Sequence, residues 1–78
     1  MATETIHFKD RLAEYLAEKD MTHASFAAAV ESASGGFCRP SVAAVQTWLE
    51  GRIPRRGTRQ AIAKAMGLSV GDVFGEVA

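Results

Sequence analysis

Apolar residues recur at the three- and four-residue spacing of an α-helix along most of this chain, and Gly and Pro residues interrupt the pattern. The first repeat is Phe8, Leu12, Tyr15 and Leu16, which predicts a core-facing helix from about Thr5 to Lys19. Val and Ile do not cluster in the alternating runs that are typical of strands. Because 78 residues leave room for one core, we expect a single all-α domain over residues 1–78, with its core at about residues 5–75.

Helix two is predicted between Thr22 and Ala33. The Thr22 hydroxyl can accept a hydrogen bond from a free backbone N–H of the first turn. The pair Gly35-Gly36 can adopt, without strain, the left-handed backbone conformation that ends a helix. The segment from Gly35 to Pro40 is therefore expected to be a loop. The buried stripe of this helix is predicted to be Phe26, Ala27 and Val30.

Helix three is predicted from Ser41 to Glu50, because Ser41 is a good N-cap and Gly51 stands at the C-terminal exit. The helical spacing between Val45 and Trp48 favours Trp48 as a core anchor over Trp48 as a platform for base stacking. The inward-facing residues are expected to be Val45, Trp48 and Leu49.

Two further helices complete the predicted fold. Thr58 is expected to cap helix four, and Gly67 to close it. Ser69 and Asp72 have the spacing of a capping box, which predicts a short fifth helix. The buried residues of these two helices are expected to be Ile62, Ala63, Met66, Val73 and Phe74.

The formal net charge is zero, but the charges are distributed unevenly. Residues 1–34 carry three basic and six acidic side chains, whereas residues 35–66 carry six basic side chains and one acidic side chain. Five of those six basic residues are arginines, whose planar guanidinium groups suit phosphate. Two interpretations are open at this point: a basic patch for nucleic acid, and a solvated loop whose charge serves solubility. The five arginines are Arg39, Arg52, Arg55, Arg56 and Arg59.

The sequence carries little that catalysis or a cofactor would need. His7 and His23 have no spacing that suggests a catalytic triad or, together with Cys38, a metal site. Gly35-Gly36 is not followed by the Lys-Ser/Thr pair of a phosphate-binding loop. We therefore expect no enzyme, no cofactor and no metal. Cys38 is the only cysteine, so it is either a reduced thiol in a reducing compartment or a redox-sensing thiol. Neither a signal peptide nor a membrane-spanning stretch is visible, which favours a cytoplasmic protein.

The order of these elements resembles the lambda-repressor-like helix-turn-helix family, of the Cro and xenobiotic-response-element type. The resemblance covers the chain from about Leu12 to Phe74. It implies a compact five-helix domain whose third helix enters the major groove of DNA, as in phage Cro-like repressors and small stand-alone regulators. The matching residues are Thr22, Phe26-Ala27, Ser41, Val45, Trp48, Gly51, Pro54, Ile62-Ala63-Lys64-Ala65-Met66-Gly67, Ser69 and Phe74.

Two features depart from the family pattern. The connection between helices two and three is longer than the tight turn of the family, so either helix two is extended or residues 34–39 form a protruding loop. Arg59 stands where the family generally carries an apolar residue, and we expect its side chain to extend outward, toward solvent or phosphate.

The resemblance also assigns positions on DNA to individual residues. Base reading is expected from the outer face of helix three, and phosphate contacts from the residues around it. Gln46 can make a bidentate contact, preferably to adenine; the alternative is that Gln46 is an ordinary solvent-facing residue. The base-reading candidates are Val42, Ala43, Gln46 and Thr47. The phosphate-binding candidates are His23, Arg39, Ser41, Arg52, Arg55, Arg56 and Arg59.

The function implied by this resemblance is that of a sequence-specific transcriptional regulator, most simply a repressor. It would bind double-stranded operator DNA as a homodimer in the nucleoid, without a small-molecule ligand. The candidate dimer surfaces are the N-terminal segment, or the last helix and tail with Val70, Val73 and Val77. The alternative is a protein-interaction module, such as an antitoxin or adaptor, that uses the same fold to bind a partner protein.

Overall fold

The computed structural model describes residues 7–75, and all regular secondary structure in this range is helical. The helices are α1 (Phe8–Lys19), α2 (His23–Ala33), α3 (Val42–Leu49), α4 (Arg56–Met66) and α5 (Val70–Phe74). The prediction of an all-α fold with five helices is confirmed. None of these helices is long and apolar enough to cross a membrane.

All five helices contribute to one core, at whose centre aromatic rings meet. The ring of Phe26 contacts Tyr15 and Trp48 edge to face, with centroid distances of 6.0 Å and 6.5 Å. Phe8 of α1 stacks on Phe74 of α5 at a centroid distance of 4.3 Å. Trp48 is only 5% exposed, which confirms it as a core anchor. The largest fully buried side chains are Phe26, Leu12, Ile62, Val30, Val45 and Val73.

Helix α3 packs against other helices on one side only. It contacts α1 and α2, while α2 also packs on α4, and α5 contacts both α4 and α1. The Tyr15 hydroxyl donates a hydrogen bond to the carbonyl of Ala65 at 3.4 Å, which ties α1 to α4. The opposite side of α3 is left to solvent, and this determines which of its residues can meet a ligand.

Side-chain caps fix the start of three helices where the sequence predicts them. The Thr22 hydroxyl accepts from the backbone N–H of Ser25 at 3.0 Å, and the Ser25 hydroxyl accepts from the N–H of Thr22. This capping box begins α2. Ser41 is the N-cap of α3, and a second capping box, formed by Ser69 and Asp72, precedes α5.

The exit of α2 has the hydrogen bonds of a Schellman motif. Gly35 and Gly36 both have positive φ, and their N–H groups donate to the carbonyls of Ser32 and Glu31 at 3.1 Å and 2.9 Å. Helix α2 therefore ends at Ala33, as predicted. Between the two alternatives for the long connection, the structure has the loop and not an extended helix.

Two predicted helix starts are wrong. Helix α1 begins at Phe8, because His7 is its N-cap and has extended backbone; Thr5 lies outside the described residues. Helix α4 begins at Arg56 and not after Thr58, with Arg55 as its N-cap and no capping side chain. Water can satisfy the N–H groups of an exposed first turn, so this helix does not require a cap residue.

One candidate dimer surface also has to be revised. Val73 is fully buried in the core, so its side chain cannot contribute to a surface. Val70 is half-buried against the core, and Val77 lies outside the described residues.

Candidate nucleic-acid interface

Helix α3 has a buried inner face and an exposed outer face. Val45 is fully buried and Trp48 nearly so, whereas Val42, Ala43 and Gln46 are exposed. Val42 is 48% exposed, which is high for a large aliphatic residue. The predicted base-reading residues are thus brought together on one solvent-facing surface, with Thr47 at its edge.

Thr47 and Ser41 already use part of their hydrogen-bonding capacity within α3. The half-buried Thr47 donates its hydroxyl proton to the carbonyl of Ala44 at 2.7 Å, so its oxygen and methyl group remain for contact with a base. The Ser41 hydroxyl accepts from the N–H of Ala44 at 3.1 Å. The exposed Ser41 can therefore cap α3 and still donate its proton to a phosphate oxygen.

The connection between α2 and α3 is a loop tied to the end of α2. The Ser34 hydroxyl donates to the carbonyl of Glu31 at 2.8 Å and accepts from the N–H of Cys38 at 2.9 Å. Phe37 lies in this loop and is 87% exposed. Arg39, which follows, is also exposed. Its guanidinium group is therefore available to a ligand at the end of the loop that precedes α3.

Three other predicted phosphate-binding arginines follow α3 in the chain. Arg52, Arg55 and Arg56 are exposed, in the α3–α4 connection and at the start of α4. Arg59 is different, because it is half-buried and its Nη1 atom donates to the carbonyl of Pro54 at 2.8 Å. Its guanidinium group is held against the connection and does not extend outward as expected.

His23 is the first residue of α2 and is half-buried. It lies beside the Thr22 capping box, at a helix N-terminus, where free N–H groups and the helix dipole favour an anion. This is the position that the sequence predicts for it.

A groove lies between the α2–α3 loop, α3 and the α3–α4 connection, and has a volume of about 640 Å³. Arg39, Arg52 and Arg55 all line this groove, although Arg39 is distant from the other two in the sequence. Phe37 and Ile53, which sequence reasoning missed, line it as well. The signal that could have found them is a large apolar residue inside a loop that is otherwise polar or basic.

Cys38 is half-buried and lines the same groove. Its Sγ atom lies 3.9 Å from the Thr58 hydroxyl oxygen, so Thr58 contacts the α2–α3 loop instead of capping α4. Across residues 7–75, no group of three or more His, Cys, Asp and Glu side chains is placed to hold a metal ion.

These observations define a small all-helical domain with an exposed helix flanked by arginines. The sequence model of the SP15 N-terminal domain matches residues 12–74, from within α1 to the end of α5. The chain therefore belongs to the family of the SP15 N-terminal domain. No curated protein and no solved structure matches it. The resemblance to the lambda-repressor-like family stays a prediction.

Proposed function

We propose that this protein is a sequence-specific DNA-binding transcriptional regulator, most simply a repressor, with a lambda-repressor-like helix-turn-helix formed by α2 and α3. In this proposal α3 enters the major groove. The observation that carries the proposal is the exposed outer face of α3, at Val42, Ala43 and Gln46, with exposed arginines in the segments that precede and follow the helix.

The packing of α3 supports this role. Val45 and Trp48 anchor its inner face, and α1 and α2 both contact the helix. A reading helix must present its outer side chains in a fixed orientation, because a displacement of about 1 Å already weakens a preorganised contact. Helix α3 meets that requirement with side chains that are buried and therefore restricted.

The chemistry of the outer face favours A·T base pairs. The Gln46 amide pairs with the N6 and N7 edge of adenine, while Val42 and Ala43 suit thymine methyl groups. Thr47 adds a methyl group and an acceptor oxygen. Because this face carries no Arg for the O6 and N7 atoms of guanine, we expect an A·T-rich half-site.

Most of the affinity would come from the arginines. Each phosphate contact lowers the slope of log K against log salt by about 0.9, so four contacts from Arg39, Arg52, Arg55 and Arg56 would contribute about −3.6 to the slope for each bound protomer. The domain contacts few base pairs alone. A homodimer on two half-sites about one DNA turn apart would supply the remaining specificity.

The test is selection of bound sequences from random double-stranded DNA by the full chain, followed by gel-shift titration of the enriched sequence. Gln46→Ala should relax the selected sequence at one position and cost about 1–3 kcal/mol for the preferred base. Gln60→Ala is the matched control, since Gln60 is exposed on α4, and it should bind like the wild type.

The arginine arm of the test uses the salt dependence. Arg55→Ala combined with Arg56→Ala should weaken binding to all sequences and reduce the steepness of the salt slope by about 1.8 for each bound protomer. The proposal of DNA binding would be rejected if no DNA sequence were enriched and the affinity for DNA did not change with salt concentration. Co-purification of a partner protein would then favour the protein-interaction module instead.

A further inference from the structure

The groove beside α3 contains exposed apolar side chains that the proposed DNA contacts do not use. It lies on the flank of α3 that carries Ala44 and Trp48, whereas the proposed reading face carries Val42 and Gln46. Its volume of about 640 Å³ falls in the range of sites that hold bound groups. It is bounded on one side by the loop that departs from the helix-turn-helix pattern.

The lining of the groove is largely apolar, and two of its large apolar side chains are exposed. Phe37 is 87% exposed and Ile53 is 46% exposed. Ala44 and Trp48 form part of the more buried lining. Exposed aromatic and aliphatic side chains around a concave surface are typical of a binding site, because water is displaced from them on binding.

The charges around the groove all have one sign. Arg39, Arg52 and Arg55 line it, and no acidic residue is among the described residues that do so. Guanidinium groups pair with carboxylates through two parallel hydrogen bonds. The complementary ligand therefore has carboxylates at its edges and an apolar group at its centre.

We propose that the groove binds an acidic segment of a partner protein, which inserts one large apolar side chain between Phe37 and Ile53. The carboxylates of the segment pair with Arg39, Arg52 and Arg55. A DNA duplex would satisfy the arginines, but its outer surface offers phosphates and sugars and no apolar side chain to cover Phe37. An acidic peptide with an apolar anchor supplies both.

Binding in the groove would also regulate the protein. Arg39, Arg52 and Arg55 are among the residues proposed to contact phosphates, so an acidic partner and DNA would compete for them. This regulatory consequence rests on the proposed function, whereas the peptide binding itself does not. The two proposals can therefore fail separately.

The experiment selects ligands for the full chain from a displayed library of random twelve-residue peptides. We expect enrichment of peptides in which Asp and Glu flank Leu, Phe or Trp. The most enriched peptide that lacks Trp is then titrated against the protein while the fluorescence of Trp48 is recorded. Trp48 lines the groove and is the only tryptophan, so occupancy should change its emission.

Variants decide whether the groove is the binding site. Phe37→Ser should weaken the peptide at least tenfold, as expected for an aromatic anchor of an interface. Leu68→Ser is the matched control, because Leu68 is 40% exposed but does not line the groove, and it should leave the affinity unchanged. Arg56→Ala, which also lies outside the lining, should weaken DNA binding and spare the peptide.

The proposal is overturned if no acidic peptide is enriched, or if the enriched peptide binds Phe37→Ser as tightly as the wild type. Loss of DNA affinity in Phe37→Ser without peptide enrichment would assign the groove to DNA. Self-association of the wild type that Phe37→Ser abolishes, again without peptide enrichment, would assign it to a second copy. If the protein binds no DNA at all, the peptide titration still tests the groove.

Discussion

The ring of Phe26 lies at the centre of the core, and replacing it with Leu tests how much the central aromatic contacts stabilise the fold. Phe26 is fully buried and contacts Tyr15 and Trp48 edge to face, at centroid distances of 6.0 Å and 6.5 Å. Leu keeps the apolar character of the site. The substitution Phe26→Leu therefore removes mainly the two ring contacts.

The expected cost follows from those two contacts. An edge-to-face pair contributes about 0.5–1.5 kcal/mol beyond the burial of its surface, so the loss of two pairs costs about 1–3 kcal/mol. A domain of this length has a total free energy of unfolding of about 4–12 kcal/mol. We expect a loss of about 2 kcal/mol, which leaves the variant folded but clearly destabilised. Phe26→Ala would add a cavity and cost about 3–5 kcal/mol.

Equilibrium unfolding in urea, followed by far-ultraviolet circular dichroism, measures the effect. With a slope of about 1 kcal/mol per molar urea, a loss of 2 kcal/mol lowers the midpoint by about 2 M. Phe37→Leu is the matched control, because Phe37 is 87% exposed, and its midpoint should change by less than about 0.5 M. If the urea midpoint fell equally in the two variants, the ring contacts of Phe26 would not be what stabilises the core.

Two further predictions concern the ends of helices, and the same urea assay checks both. Ser41→Ala removes the side-chain cap of α3 and should lower the free energy of unfolding by about 1 kcal/mol, whereas Ser41→Asp should retain most of the stability. Equal losses of stability in the two variants would show that the cap is not what stabilises the start of α3. Gly67→Ala should cost about 1–2 kcal/mol, because Gly67 has a φ of +72°. Gly57→Ala should stabilise by about 0.5 kcal/mol, because Gly57 is helical with no atom near an added Cβ. A change of the same sign in both glycine variants would contradict this explanation.

The candidate interface around α3 was predictable from the sequence only in part. The uneven distribution of charge is visible in the sequence, as is the outer face of α3 with Val42, Ala43 and Gln46. What the sequence does not show is which arginines act together. Arg39 joins Arg52 and Arg55 along one groove, while Arg59 donates to the carbonyl of Pro54 and is half-buried.

The sequence by itself determined the features that depend on residues a few positions apart. Apolar spacing marks the core side of each helix. Helices start directly after Thr22, Ser41 and Ser69, because the hydroxyl of each of these N-caps accepts from a backbone N–H of the first turn. Helices α2 and α4 end at Ala33 and Met66 because the glycines that come next adopt the left-handed conformation, which is again a local effect.

Tertiary structure alone decided the features that depend on contacts between distant segments. Helix α4 begins before its predicted cap, in a first turn where Arg59 bonds to Pro54 and Thr58 faces Cys38 of the α2–α3 loop. The groove likewise forms only because the α2–α3 loop at Phe37 lies close to the α3–α4 connection. No local sequence pattern predicts this proximity, because it depends on the packing of the whole core.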